Sequence, residues 1–401
     1  MTERPTIELA DVFRLGFERY CAEHTPQPDH YKVANAIMSC HTATLGGHVY
    51  RCEGCGHEKI SYNSCRNRHC PSCQASARAA WVESRMSELL PVPYFHVVFT
   101  VPSSLNPFAL RNREAFYNIL FRAASETLHA FAADPKHLGA KIGFIAVLHT
   151  WAQNLLDHPH LHCVVPAGGV SADHSRWKKT PYGKFLFPVK AMSALFRGKF
   201  LSLFSAAISN KEILFHGALA QYALNPKEIS ALIDTLYKTS WVVYAKAPFA
   251  GPEAVLKYLG RYTHRIAIAN SRLVSLTEEN VSFWWKDYAD GNTVKTMTVT
   301  HAEFIRRFLL HALPRGFVRI RYYGFLGQAV KGDKLPLCLR LLEVKPREPL
   351  SEDIDKKAWT LLLKELLGED PALCPLCRKG RLVVFREIPR PQRNEAFSAV
   401  A

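Results

Sequence analysis

The chain has 401 residues, with 51 Lys and Arg against 35 Asp and Glu, a formal net charge of +16, so its natural partner is a polyanion such as DNA. No apolar run reaches the roughly 18 residues of a membrane span, and the first twenty residues lack the apolar centre of an export signal, so a cytoplasmic, nucleoid-associated protein with no membrane partner is expected. In such a setting the 11 cysteines point to metal binding rather than to disulfides.

Residues 1–45 are expected to hold a short amphipathic helix and to lead into a cysteine-rich module at 46–80. There Cys52-x2-Cys55 and Cys70-x2-Cys73 make two knuckle-like pairs with the spacing of a four-cysteine zinc site. Gly56 permits the tight turn that aims backbone N–H groups at thiolates. Cys65 and His69, with two of Cys40, His41, His48 and His57, offer a second zinc site; otherwise Cys40 and Cys65 are small buried apolar groups. Arg51, Lys59, Arg66, Arg68 and Arg78 give the module a DNA-gripping surface. A helix over 75–90 should end before Pro91 and Pro93, followed by a strand over 95–101 and a helix over 107–133.

Two strands come next, at 143–151 and 160–166. The run His158-Pro159-His160-Leu161-His162 enters the second of them, and strand alternation turns His160 and His162 to one face with Leu161 on the other. Imidazoles about 6–7 Å apart along a strand can share one divalent cation; a solvated hairpin with surface histidines is the plainer reading. If the strands pair antiparallel across a loop near 153–158, His149 falls opposite His162 and Trp151 opposite His160. His149 is then the first choice of third ligand, Gln153 the second, with His158 able to enter from the loop. A one-residue slip would turn His149 away.

Residues 171–238 read as a polar-rich, mostly helical insertion with apolar spacing at Phe196, Phe200 and Phe204. A strand over 240–245 leads to a helix over 252–263, PEAVLKYLGRYT, with Pro252 in its first turn. Val255, Tyr258, Leu259 and Tyr262 share one stripe of it. Aromatics at that spacing are usually core, but Lys257, Arg261, His264 and Arg265 crowd the same stretch. Cations or a metal-polarised electrophile are what a phenol with a pKa near 10 needs to act as a nucleophile. Short strands at 265–269, 272–276, 281–286 and 293–299 should form a meander closed by a helix over 301–313, on which Arg306 and Arg307 form a solvated or DNA-facing stripe. Arg319, Arg321, Tyr322, Tyr323 and Phe325 then interleave cations with aromatics. Such a strip either tracks phosphates and stacks unpaired bases or is an ordinary edge strand. Cys374-Pro375-Leu376-Cys377 looks like half a knuckle with only Cys338 nearby, and no ordered structure is expected over 386–396.

The strings CRNRHCPSCQ (65–74), HTWAQNLLDHPHLHCVVPAGG (149–169), YLGRYTHRIAIAN (258–270) and EFIRRFLLHALPRGFVRIRYYGFLG (303–327), with Phe99-Thr100 at a strand end, occur in an order that resembles the HUH endonucleases. Within them the chain is similar to the two-tyrosine, rolling-circle transposases of the insertion-sequence ninety-one type, over roughly residues 30–330. Ala167 stands where that family favours a glycine-rich run. Composition alone gives mixed α and β. The resemblance implies an α+β fold, an HUH-type antiparallel sheet with flanking helices and the metal histidines on a central strand, plus an N-terminal zinc-binding module. The domains expected are a zinc-binding DNA-recognition domain at 1–80, a catalytic domain at 81–330, and a basic C-terminal region at 331–401. The activity implied is metal-dependent attack of Tyr258 or Tyr262 on single-stranded DNA, giving a 5′-phosphotyrosine link, with Mg2+ or Mn2+ on His160, His162 and His149. Histidine ligands favour Mn2+ over Mg2+. A plasmid relaxase or replication initiator of the same superfamily, or a non-enzymatic zinc-dependent DNA-binding protein, is the alternative.

Overall fold

The computed structural model describes residues 7–73, 81, 85, 88–181, 186–249, 267–288, 290–344, 370 and 372–391. The chain divides into two compact units, one of Met1–Trp81, His264–Ala312 and Glu348–Ala401, the other of Val82–Thr263 and Leu313–Arg347. Both are built from helices and antiparallel strands, the α+β class that was expected.

The first unit opens with helices Leu9–Glu23 and Pro28–Ser39, two where one short helix was expected. Strands β1 (Gly47–Cys52) and β2 (Glu58–Tyr62) form a hairpin beside them. The meander consists of β10 (Leu273–Leu276), β11 (Asn280–Asp287) and β12 (Thr293–Thr300). No strand covers 267–269, where the chain turns into a short 3-10 helix at Asn270–Arg272. Thr300 caps the helix His301–Leu309 by accepting from the Glu303 N–H at 3.2 Å. That helix lies against Leu9–Glu23: Phe13 meets Phe308 edge-to-face at 5.5 Å, and a Cβ on Gly16 would collide with His301. The meander therefore belongs with the N-terminal segment rather than with a continuous domain at 81–330. Nor is the C-terminus a region apart. Strand β14 (Leu382–Ile388), placed where disorder was expected from 386 on, pairs with β1 from Gly47↔Ile388 to Cys52↔Leu382.

The second unit is organised by a five-stranded sheet. Its strands are β3 (Tyr94–Thr100), β5 (Gly143–Trp151), β6 (Asp157–Pro166), β9 (Val243–Phe249) and β13 (Ile320–Gly324), in the order β13-β5-β6-β3-β9. Every neighbour is antiparallel, and β6 lies in the middle. A small satellite sheet joins β4 (Ala140–Lys141), β7 (Gly168–Ser171) and β8 (Trp177–Lys179).

Alternation gives the large sheet two unlike faces. Val97 and Phe99 of β3, Phe144, Ala146 and Leu148 of β5, and Leu161, Cys163 and Val165 of β6 enter one apolar core with helices Arg113–Ala133 and Val189–Ser209. The second of these helices lies in the stretch read as a polar-rich insertion, yet Phe196, Phe200 and Phe204 are fully buried. They meet Phe99, Phe116 and Phe108 at 4.9, 5.4 and 5.4 Å between ring centres. Four-residue spacing puts the three rings on one helical stripe, so this helix is a layer of the core. By length and composition alone it would also suffice to cross a membrane, although Lys190, Arg197 and Lys199 break any continuous apolar run.

Candidate active site

The other face of the sheet carries the histidines. The ligand nitrogens of His149, His160 and His162 all lie within 4.8 Å of one another. His149 and His162 are buried, while His160 is half-buried. The pairing that assembles them differs from the expected one: His149 faces His160, and His162 faces Val147. The turn is tighter than anticipated, because Ala152 donates to the Leu156 carbonyl at 2.8 Å, Leu155 takes a φ of 64°, and β6 begins at Asp157. The resulting slip is two residues, an even number, so His149 stays on the histidine face. Gln153 lies in that turn and His158 at the start of β6; neither joins the three-nitrogen set.

A hydrogen bond to a carbonyl fixes the tautomer of His160, and His162 is tied to a second imidazole. The His160 Nδ1–H donates to the His158 carbonyl oxygen at 2.7 Å, which leaves Nε2 as the ligand atom. His162 Nδ1 meets Nε2 of His96, on β3, at 2.8 Å. His96 and His162 are diagonal neighbours across β3 and β6, since His162 pairs with Val98. Burial, with Lys246 adding positive charge, holds the His96 imidazole at about 4, below its ordinary value. His96 is therefore neutral at physiological pH and can accept at Nε2, which lets His162 Nδ1–H donate and presents His162 Nε2 outward from that bond. His149 stacks on Trp151 at 4.5 Å. Three imidazole nitrogens, two of them on rings held by a second hydrogen bond, fit a single divalent cation with open positions for substrate oxygens. Among the described residues, no carboxylate belongs to the set.

The same face continues to both sheet edges. On β9, Tyr244 pairs with Val98 and Lys246 with His96, and both side chains are exposed. On β13, Tyr322 pairs with Ile145, and the Arg85 guanidinium lies 5.6 Å from the Tyr322 ring centre. Sequence reasoning named neither Tyr244, Lys246 nor Arg85 for this site. Arg321 is one residue from Tyr322 and so faces the opposite way. It donates to Asn118 Oδ1 at 2.6 Å and covers Phe121 at 4.1 Å, so the strip of cations and aromatics does not share one face. Arg319 is half-buried where the chain enters β13, its carbonyl accepting from the Leu148 N–H at 2.9 Å. The chain leaves β9 at Phe249, and Tyr258, Tyr262, Lys257, Arg261, His264 and Arg265 lie outside the described residues.

At the base of β6 both oxygens of the Asp157 carboxylate are buried, and neither has a hydrogen-bond partner among the described residues. Burial raises its pKa from 3.8 to about 7, with Arg113 opposing. An acid whose folded pKa lies above its unfolded one favours the folded state only while protonated. Stability is therefore lost as pH climbs from about 4 to about 7 and stays reduced above that. Asp157→Asn should raise the urea midpoint clearly at pH near 8 and much less at pH near 5. Equal midpoints for both chains at pH near 8 would contradict this.

In the first unit the structure regroups the cysteines. Cys40, at the end of helix Pro28–Ser39, comes together with Cys65, Cys70 and Cys73. Cys40 and Cys65 each stand 3.5 Å from Cys73 Sγ, and the Cys65 and Asn67 N–H groups reach Cys40 Sγ and Cys65 Sγ, both at 3.5 Å. Tetrahedral thiolates with Zn–S near 2.3 Å have edges of about 3.8 Å, whereas a disulfide is about 2.05 Å, so the set fits zinc. Cys52 and Cys55 do not join Cys70 and Cys73; their neighbours are Cys374 and Cys377. The expected single set failed because both C-x2-C pairs sit on separate turns, Cys52–Cys55 at the tip of the β1–β2 hairpin. His69 is buried but belongs to neither set. Of the arginines assigned to DNA, Arg66 is exposed, whereas Arg68 is half-buried with its pKa lowered by burial.

Known proteins bear on these two constellations. Residues 143–334 match a family described as "Putative transposase", and residues 12–101 match one described as "Transposase zinc-binding domain". The chain is 50% identical to "Putative transposase y4qJ" of Sinorhizobium fredii over 96% of its own length and 97% of the relative's. It is 29% identical to "Transposase for insertion sequence element IS801" of Pseudomonas savastanoi pv. phaseolicola, over 85% and 80%. No solved structure matches.

Proposed function

The chain belongs to the rolling-circle transposases of the insertion-sequence ninety-one type, and from that membership we propose that it cleaves and rejoins single-stranded DNA through Tyr258 or Tyr262. The observation that carries this reading is the set of three imidazoles on a central β-hairpin, with His160 held in one tautomer by the His158 carbonyl and His162 hydrogen-bonded to His96. A bound Mg2+ or Mn2+ on His149, His160 and His162 would supply Lewis-acid polarisation of the scissile phosphate. Tyr322 and Tyr244 flank the imidazoles with π-faces for unpaired bases, and the exposed Lys246 offers a cation to the phosphates, whereas Arg85 is ion-paired to Glu88 at 3.0 Å. A tyrosine oxygen attacks phosphorus, the P–O3′ bond breaks, and the leaving oxygen takes a proton to become a free 3′-OH. The 5′-phosphotyrosine keeps the phosphodiester energy, so that the 3′-OH of another strand can reverse the step and complete transfer. A second tyrosine would allow a second cleavage while the first link persists. Cys40, Cys65, Cys70 and Cys73 would hold a structural zinc in the DNA-recognition module, with Arg66 facing solvent beside it.

Labelled single strands from candidate element ends, incubated with the full chain and Mn2+, should give an SDS-resistant adduct. The adduct should vanish on chelation and in the Tyr258→Phe/Tyr262→Phe double variant. Undiminished adduct in EDTA, or in the double variant, refutes the mechanism.

A further inference from the structure

Four thiols from the two ends of the chain meet at the open end of the β14-β1-β2 sheet. Cys52 Sγ stands 3.7 Å from Cys377 Sγ, and Cys55 Sγ stands 3.7 Å from Cys374 Sγ, across 325 and 319 residues of sequence. Both separations are far beyond a disulfide bond and match the edge of a zinc–thiolate tetrahedron, about 3.8 Å.

The two turns are built alike. Cys52 donates to the His57 carbonyl at 2.9 Å and accepts from the Gly56 N–H at 3.0 Å. Cys374 donates to the Gly380 carbonyl at 2.9 Å and accepts from the Arg378 N–H at 2.9 Å. The residue after each second cysteine is left-handed, Gly56 with φ 72° and Arg378 with φ 55°. An arginine pays for that conformation, so the turn at Cys374–Cys377 is held against its own preference. Backbone N–H groups point at sulfur in both turns, from Gly54 to Cys52 at 3.4 Å and from Gly380 to Cys377 at 3.3 Å. Such donors stabilise thiolate over thiol.

The turns also fit each other. A Cβ on Gly380 would strike Cys52 Sγ and come within 2.8 Å of the Gly54 nitrogen, and one on Gly54 would lie 3.3 Å from the Gly380 Cα. Glu53 N–H donates to the Arg381 carbonyl at 3.0 Å, sealing the contact. Glycine at 380 allows the approach that accompanies the gathering of the four sulfurs within 4.8 Å of one another.

We infer that Cys52, Cys55, Cys374 and Cys377 form a second structural zinc site, distinct from the Cys40 set, which fastens the C-terminal strand onto the N-terminal hairpin. The matched zinc-binding family covers residues 12–101 and so contains only half of these ligands.

Zinc measured by plasma mass spectrometry on the purified full chain should be two ions per chain, falling to one in Cys374→Ser/Cys377→Ser. Cys377→His, which restores a fourth ligand, should return the count to two. Trypsin should cut after Lys379 and Arg381 at least tenfold faster in the double serine variant than in the wild type or the histidine variant. One zinc in the wild-type chain, or two retained in the double serine variant, overturns the site. If the serine variant does not fold, the wild-type count together with Cys377→His still decides.

Discussion

A His149→Ala chain is expected to lose metal-dependent strand cleavage by on the order of a thousandfold, because a cation that polarises a phosphoryl oxygen supplies several kcal/mol at the transition state. His149 sits opposite His160 on the neighbouring strand and completes the three-nitrogen set with His162. Two imidazoles on β6 alone would hold the ion weakly and leave its position unfixed. His96→Ala should behave differently. His96 touches His162 rather than the ion, so its removal frees the His162 ring and should cost about 10–100-fold in apparent Mn2+ affinity. Raising Mn2+ should recover most of that loss, and His96→Gln, which keeps an acceptor, should recover part of it without extra metal. Titrating cleavage against Mn2+ separates the cases. If His149→Ala cleaves as fast as the wild type at saturating Mn2+, His149 is no ligand. If His96→Ala shows an unchanged Mn2+ midpoint, its hydrogen bond does not orient His162.

Cys65→Ser should release zinc from the Cys40 set and unfold the loop that carries it. Asn63 is tied to Gly46 and His41 by backbone bonds, but among the described residues 64–73 contains no strand, and its backbone–backbone bonds are short-range turns such as Cys70 N–H to Asn67 and Cys73 N–H to Cys70. Metal binding to such a segment is its folding free energy, with apparent values of about 10–16 kcal/mol for structural zinc against about 5–15 kcal/mol of total stability for a typical domain. Hydrogen exchange should show protection lost across 63–73 and the end of helix Pro28–Ser39, where Cys40 is anchored. Affinity for element-end DNA should fall with it. The β5–β6 hairpin belongs to the other unit and should keep its protection. Unchanged protection at 63–73 with zinc removed would show that packing alone holds the loop.

The histidine face was legible because strand alternation acts between neighbours in sequence, and His160-Leu161-His162 needs nothing more. Its exact register was not, because the left-handed Leu155 that tightens the turn carries no residue signature such as glycine. His96 gave no signal either, as a single histidine in an apolar strand acquires meaning only from His162, 66 residues away. Cysteine pairing was hidden for a related reason. The C-x2-C turns at 52, 70 and 374 are interchangeable as strings, and only sheet topology, with β14 beside β1, selects the partner. Arg321 is a different case. Its adjacency to Tyr322 already places the two on opposite faces of any strand, so the assignment of both to one nucleic-acid strip could have been refused from the sequence.

The split of the first unit into three chain segments sets an order of events during synthesis. Strand β1 leaves the ribosome long before Leu382–Ile388, the strand that completes its sheet. The hairpin must wait with one edge open while the intervening residues emerge, and the five-stranded sheet of the second unit, all but β13 within 82–263, can pair first. A product cut short before Leu382 would keep its histidine hairpin and leave β1 exposed as a template for another chain. The arrival of Leu382–Ile388 is thereby written into the state of a single sheet edge.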